Sequence, residues 1–205
     1  MQALLAVIAI FWGANVMSAE IESFDKTKPG ALPTRWIAGV TGFGKPHWAV
    51  VADPSAPTQP NVLKQSGAGA YPWAVKQDVS LLDGFVETRF KPVSGAEDQA
   101  GGIVWRWQNG RNYYVARANA NENNVSLYYT TLGIRSTIEY VDAPVPRNQW
   151  HTLRAEFSGK SIRVWLNGKL YIEAKDDHIE KAGAVGVWTK ADSVTLFDHV
   201  SWGAR

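Results

Sequence analysis

Two stretches of the 205-residue chain concentrate polar and aromatic side chains at spacings that could place them on one surface. The candidate binding residues in these stretches are Arg106, Tyr113, Arg117, Asn119 and Trp188. Arginine and asparagine form planar, directional hydrogen bonds with vicinal hydroxyl groups or a carbonyl group, and tryptophan offers a flat apolar face. These residue types indicate a flat, hydroxyl-rich ligand, and a carbohydrate is the partner that we expect.

Three charged residues near these candidates could transfer protons, namely Lys190, Asp192 and Glu97. Lys190 and Asp192 lie two residues apart and could form an acid–base pair. The alternative is a salt-bridged network that braces the sheet, in which Lys190 and Asp192 form a surface pair of little energetic weight. The sequence leaves both interpretations open, because structural networks resemble functional ones.

The elements that position the first set form a predicted β-hairpin. Its arms, Gly102–Trp107 and Asn112–Asn119, are rich in β-branched and aromatic residues, and Asn109-Gly110 between them is a strong turn signal. Period-two alternation gives each arm two faces. In the first arm, one face has Ile103, Trp105 and Trp107, and the other has Val104 and Arg106. In the second arm, one face has Tyr113, Val115, Arg117 and Asn119, and the other has Tyr114, Ala116 and Ala118. A one-residue slip exchanges the faces, so alternation alone does not say which face meets the ligand.

The rest of the chain repeats this pattern of short alternating segments separated by turn residues. A second hairpin is predicted from Trp150–Phe157 and Ser161–Leu166, and Leu81–Pro92 alternates as a half-buried strand. We expect roughly eleven to thirteen strands at about 8–12-residue spacing and no amphipathic helix after the N-terminal segment. This organisation predicts an all-β fold, a two-sheet antiparallel sandwich with a ligand groove on one face.

The composition excludes several classes of function. The net charge is +2 and the charges are interleaved without a basic stripe, so we expect no nucleic-acid partner. The absence of cysteine excludes disulfides, thiolate nucleophiles and thiolate metal sites. Ten tryptophans favour a carbohydrate ligand, although large aromatic side chains are most often buried.

The first nineteen residues have the layout of a secretory signal peptide. An unbroken apolar run, Ala3–Trp12, is followed by the small residues Ser18 and Ala19 before Glu20, although a positive N-terminal region is missing. We therefore expect a signal peptide at 1–19, one domain at 20–205, and a periplasmic or secreted protein without membrane contact after cleavage. An uncleaved membrane anchor is the alternative, and the oligomeric state is left open.

Four motifs carry a resemblance to a known family. They are Asp98–Arg106, Asn112–Tyr114 with Arg117 and Asn119, Trp150–Arg154, and Gly186–Asp198. In these motifs the chain resembles the DUF1080 group, which is named after 3-keto-disaccharide hydrolases and has a concanavalin A-like, laminin-G-like jelly roll. The motifs cover about half of the mature chain and occur in the order that the family uses.

The resemblance implies cleavage of glycosides that are already oxidised at the sugar 3-position. There the ketone acidifies the neighbouring C–H bond, so elimination replaces direct hydrolysis. Arg106 and Lys190 would polarise the ketone, and Asp192 or Glu97 would act as base. The alternatives are a carbohydrate-binding module without catalysis and a structural or adhesion domain with a protein partner.

The sequence also bears on three further types of site. The paired carboxylates on one strand that related jelly-roll glucanases use are missing, which disfavours a retaining glycosidase of that type. Concanavalin A-like sandwiches often carry calcium at the rim, and Asp25 and Asp198 would supply oxygen ligands if the first and last strands pair. The four histidines have no short spacing that sets two on one face, so structural roles are expected for them, and a metal site built from distant histidines and carboxylates is the alternative.

Overall fold

The computed structural model describes residues 19–205, which contain fifteen β-strands and no helix. The strands are β1 Glu20–Glu22, β2 Trp36–Lys45, β3 Trp48–Ala52, β4 Asn61–Gln65, β5 Ala68–Leu81, β6 Gly84–Ser94, β7 Ala100–Asn109, β8 Asn112–Asn119, β9 Asn124–Thr131, β10 Ile134–Asp142, β11 His151–Ser158, β12 Ser161–Leu166, β13 Lys169–Lys175, β14 Gly183–Trp188 and β15 Val194–Ala204. None of the described residues forms a helix that is long and apolar enough to cross a membrane. The predicted signal peptide lies outside the described residues except for Ala19, and it stays a prediction.

The strands form two antiparallel sheets, which confirms the predicted sandwich. One sheet has the order β13-β12-β11-β6-β15-β4-β3 with β1 added to β15, and the other has the order β10-β9-β8-β7-β14-β5-β2. The strand β11 shows how the sequence builds this layer, because its side chains alternate between buried and half-buried along its whole length. The main core lies between the sheets and includes Phe90, Trp105, Phe157 and Val187.

The central hairpin forms between β7 and β8, and its register assigns the two faces. Ile103 pairs with Ala116 and belongs to the core between the sheets. Val104 pairs with Val115, and both belong to a second cluster whose members all come from the seven-stranded sheet. That cluster therefore lies on the outward face of this sheet, and the residues in step with Val115 along β8 point there.

The predicted faces are wrong for the end of β7, where the ladder is irregular. Between Trp105 and Asn109 the pairing with β8 shifts, and Arg106 adopts a left-handed φ of 45°. This β-bulge breaks the alternation, so Trp107 joins the outward cluster and packs on Trp73 at 5.1 Å between ring centroids. Arg106 turns the other way, toward the edge of the core.

The strands β2 and β5, which pair with each other, were not predicted. Glycine is a frequent turn residue, but Gly39 has a packing role inside β2. A Cβ atom at Gly39 would lie 2.6 Å from the ring of Trp73, which stands opposite it on β5. The glycine therefore makes room for a large ring within a continuous strand.

Candidate functional site

The outward face of the seven-stranded sheet carries a layer of aromatic side chains. Trp188 is fully buried there and stacks on Tyr71 at 5.8 Å between ring centroids. The hydroxyl group of Tyr113 lies 2.8 Å from the hydroxyl oxygen of Thr41. Burial raises the pKa of Tyr113, although its hydrogen bond with Thr41 acts in the opposite direction. These rings form the apolar floor of this face, and the hydroxyl groups of Tyr113 and Thr41 are the polar atoms within it.

A guanidinium group from the edge strand covers this floor. The Cζ atom of Arg135 lies 4.2 Å from the ring centroid of Tyr128, 4.7 Å from that of Tyr71 and 5.9 Å from that of Trp188. Arg135 belongs to β10 and Tyr71 to β5, with four strands between them. In a flat sheet, five steps of about 4.8 Å would place those strands about 24 Å apart, too far for two side chains to touch. The sheet therefore curls, and its outward face is a groove.

A buried carboxylate organises the charges at one end of the groove. Asp98 is fully buried, forms an ion pair with Lys190, and accepts a hydrogen bond of 2.5 Å from the side-chain amide of Asn119. A nitrogen of Arg117 lies 3.7 Å from the same carboxylate. The ammonium group of Lys190 is therefore held in place by the carboxylate of Asp98, which solvent does not reach.

Arg117 extends this network toward Glu122. It donates hydrogen bonds of 2.5 Å to Glu122 and 3.0 Å to the side-chain oxygen of Asn124. Partial burial would raise the pKa of Glu122, but hydrogen bonds from Asn124 and the charge of Arg117 outweigh it and hold the pKa below the usual value. Two positive groups, Arg117 and Lys190, thus face two negative ones in this network.

Asp192 fixes the segment that precedes Asp98. Its carboxylate accepts hydrogen bonds from the backbone N–H groups of Ala96 at 2.6 Å, Glu97 at 3.0 Å and Asp98 at 3.1 Å. Partial burial raises the pKa of Asp192, and these backbone donors more than reverse that shift and hold it below its ordinary value. The carboxylate therefore acts as a loop brace and is not placed as a free base.

A cavity of about 450 Å³ opens beside this brace at the rim of the groove. Its lining residues are Phe43, Gly44, Ala68, Gly69, Ala70, Tyr71, Glu97, Lys190, Ala191 and Asp192. The ring of Phe43 is 81% exposed, which is unusual for a phenylalanine. Within residues 19–205, the carboxylate of Glu97 has no hydrogen-bond or ion-pair partner. The three predicted proton-transfer residues therefore meet in one cavity, and Glu97 is the one with a free carboxylate.

Another cavity, of about 490 Å³, lies on the eight-stranded sheet between β6, β11 and β12. Its charged lining residues include Glu156, which pairs with Arg154, and Arg163, which pairs with Glu173. These four charges are paired, whereas Arg205, which also lines the cavity, has no ion-pair partner among residues 19–205. Phe157 at this cavity is buried in the core. This cavity thus offers a ligand neither an exposed aromatic ring nor a free carboxylate.

Arg106 does not lie in the groove, so the structure does not place it with the other predicted binding residues. Its guanidinium group is buried and donates hydrogen bonds to the backbone carbonyls of Leu82 at 2.9 Å, Ile179 at 2.8 Å and Gly159 at 2.8 Å. The β-bulge in β7 turns the side chain to this position. Arg106 therefore ties three loops together at the edge of the sandwich.

The chain matches the family model of the 3-keto-alpha-glucoside-1,2-lyase-like domain over residues 59–201. It belongs to this family. The match begins before β4 and ends within β15, so it includes Tyr71, Glu97, Lys190 and Asp192 of the cavity but not Phe43. No curated protein matches the chain.

Solved structures with the same fold include sugar-binding and sugar-cleaving proteins. The carbohydrate-binding module CBM66 from Bacillus subtilis is 19% identical, with a TM-score of 0.67 over 82% of this chain and 95% of that one. The β-glucanase of Bacillus licheniformis is 13% identical, with a TM-score of 0.57 over 93% and 100%. A Bacillus subtilis protein of unknown function with a galectin-like fold is 10% identical, with a TM-score of 0.59 over 90% and 98%. These likenesses show that the family member has a jelly-roll fold.

The residues suggested for calcium do not fit that ion. The strands β1 and β15 pair as expected, and the charge of Asp25 contributes, after burial, to the raised pKa of Asp198. However, Asp198 already accepts hydrogen bonds from Thr58 and His199, and Asp25 accepts one from Asn61. Calcium takes six to eight oxygen ligands, and the described residues contain no group of three or more His, Cys, Asp or Glu side chains that could hold a metal ion. The carboxylates of Asp25 and Asp198 alone therefore do not make a calcium site.

The remaining predicted binding residues lie on the groove side, but none of them is freely exposed. Tyr113, Arg117, Asn119 and Trp188 all belong to the outward face, where Asn119 braces Asp98. Phe43, Tyr71 and Arg135 were not predicted as site residues. Tyr71 lies on β5 and Arg135 on β10, and only the curl of the sheet brings these two side chains together.

Proposed function

We infer that the groove binds a carbohydrate and that the cavity beside Tyr71 supports elimination from a 3-keto-glycoside. The observation that carries this proposal is the meeting of a free carboxylate, Glu97, and a fixed ammonium group, Lys190, in one cavity. The rings of Phe43 and Tyr71 line the same cavity and supply apolar faces on which a sugar ring can stack. The family to which the chain belongs supports the reaction class.

The proposed reaction needs a base and an electrophile. A ketone at C3 makes the proton on C2 acidic, and the carboxylate of Glu97 removes that proton. The electron pair forms a double bond between C1 and C2, the bond from C1 to the glycosidic oxygen breaks, and water in the open cavity protonates the leaving oxygen. The ammonium group of Lys190 stabilises the negative charge that develops on the ketone oxygen.

The contacts of Asp98 and Asp192 support Glu97 as the base and Lys190 as the electrophile. Asp98 holds Lys190 from the buried side, so the ammonium group is preorganised toward the cavity. Asp192 accepts three backbone hydrogen bonds, and using it as base would weaken the loop that carries Glu97. Glu97 can take up a proton without breaking any hydrogen bond of its carboxylate.

Sugar binding without turnover is the second candidate function. The exposed ring of Phe43 at the cavity rim favours it, because exposed aromatic rings stack on sugar faces whether or not a reaction follows. In this case Glu97 and Lys190 would only form hydrogen bonds with hydroxyl groups.

The two functions are separated by incubating the protein with a 3-keto-glucoside and with its unoxidised parent, and following the release of the leaving group. We expect release from the keto sugar alone. Glu97→Gln should lower turnover by roughly 100- to 10,000-fold with little change in binding, whereas the control Glu180→Gln should keep full activity. Saturable binding without release would establish the second function. The absence of both binding and release would support a structural or adhesion domain.

A further inference from the structure

We propose that Arg135 anchors a carboxylate group of the sugar, so that the groove prefers uronic-acid glycosides to neutral ones. This inference rests on the proposed function, because it names the class of sugar that the same groove takes. It adds a specificity-determining residue on β10, at the far wall of the groove from β5.

Arg135 is the starting point because its charge is not compensated. Within residues 19–205 it has no carboxylate within ion-pair distance, whereas Arg117 pairs with Glu122 and Lys190 pairs with Asp98 on the same face. Its terminal nitrogen Nη1 is also buried and has no hydrogen-bond partner. Leaving a buried donor of a charged group unsatisfied is costly, so this position favours an incoming acceptor.

The contacts of Arg135 leave its donors free. Tyr128, Tyr71 and Trp188 surround the guanidinium group with aromatic rings, and such rings attract the cation without accepting in-plane N–H hydrogen bonds. A carboxylate can bind the planar edge of a guanidinium group through two parallel hydrogen bonds. The rings also limit the access of water, which strengthens the attraction between the two charges.

Tyr71 connects this position to the proposed reaction site. It contacts the guanidinium group of Arg135 and also lines the cavity that contains Glu97 and Lys190. A sugar held through its carboxylate at Arg135 would therefore extend past Tyr71 into the cavity. The negative charge of Glu97 makes the cavity end the less favourable place for the carboxylate, which fixes the direction of the ligand.

The test compares three ligands by isothermal titration calorimetry: methyl glucuronide, its methyl ester and methyl glucoside. The wild-type protein should bind the glucuronide about 10- to 100-fold more tightly than the other two. Arg135→Gln should remove this preference, and Arg135→Lys should keep part of it because the charge remains but the planar donor edge is lost. The control Arg163→Gln changes an exposed arginine of the other sheet and should keep the preference.

Equal affinity of the wild-type protein for the glucuronide and its ester would overturn the proposal. If that protein still bound the glucoside and released the leaving group from a 3-keto-glucoside, the proposed function would stand and only the role of Arg135 would fall. If none of the three sugars bound and no leaving group were released from a 3-keto-glucoside, both would fall. Thermal melting of each variant shows whether it is folded. If Arg135→Gln is not folded, Arg135→Lys takes its place in the comparison.

Discussion

Asp98 should be among the most sensitive positions of the domain, because one buried carboxylate serves three partners. It forms the ion pair with Lys190, accepts the hydrogen bond from Asn119, and lies 3.7 Å from a nitrogen of Arg117. Asp98→Ala removes the negative charge and leaves two positive groups and an amide at a site that is shielded from water. Of these three partners, Asn119 and Arg117 are themselves buried, so they cannot turn to solvent.

The size of the effect follows from these contacts. Removing one partner of a buried ion pair costs about 3–5 kcal/mol of unfolding free energy. For a domain of this size, 1 kcal/mol corresponds to a shift of about 2–4 °C in the melting temperature, so Asp98→Ala should melt about 6–20 °C below the wild-type protein. Asp98→Asn keeps the shape of the side chain and should lose less than Asp98→Ala.

Differential scanning calorimetry at pH 7 measures these shifts directly. The matched control is Asp142→Ala, which removes an exposed carboxylate at the end of β10 and should change the melting temperature little. A double-mutant cycle with Lys190→Met should show that part of the loss depends on Lys190. A melting temperature of Asp98→Ala within about 2 °C of the wild-type value would refute the reasoning, since the buried charges would then be stable without their partner.

Two further predictions concern residues that the structure assigns to bracing. Arg106→Ala should lower the unfolding free energy by about 3–5 kcal/mol in a urea titration, because three backbone carbonyls lose their donor. The sugar affinity per folded molecule should stay at the wild-type value. A loss of affinity at full stability would contradict the placement of Arg106 outside the groove. The pKa of Asp192 lies below its ordinary value of 3.8 in the folded protein, so its stabilising effect is present above that value and is lost as the pH falls through the lowered pKa. Urea midpoints should therefore show an advantage of the wild-type protein over Asp192→Asn at pH 7 that shrinks below about pH 4, and an advantage independent of pH would contradict this.

Local pattern predicted the parts of the fold in which neighbouring residues decide the structure. The alternation along Gly102–Trp107 and Asn112–Asn119 and the turn signal between them gave the central hairpin, which the structure contains as β7 and β8. The second hairpin, β11 with β12, was predicted from the same kind of pattern. Both consist of residues close in sequence whose burial follows a period of two.

The errors occur where distant residues decide the local structure. Gly39 reads as a turn residue until the ring of Trp73, on another strand, is known to lie against it. The left-handed backbone at Arg106 is rare for a residue with a Cβ atom and gives no signal in the sequence. The groove itself depends on sheet curvature that brings Arg135 to Tyr71 across four strands, and no window of sequence contains both.

The brace at Asp192 has a consequence for how this domain could change over evolutionary time. Because the carboxylate holds the main chain at Ala96, Glu97 and Asp98, the side chains at 96 and 97 take no part in fixing that loop. Under the proposed function, a mutation at position 97 therefore exchanges the reactive group while the backbone that carries it stays in place. On such a surface a catalyst and a receptor for the same sugar would be separated by a single codon, and either could arise from the other without passing through an unstable intermediate.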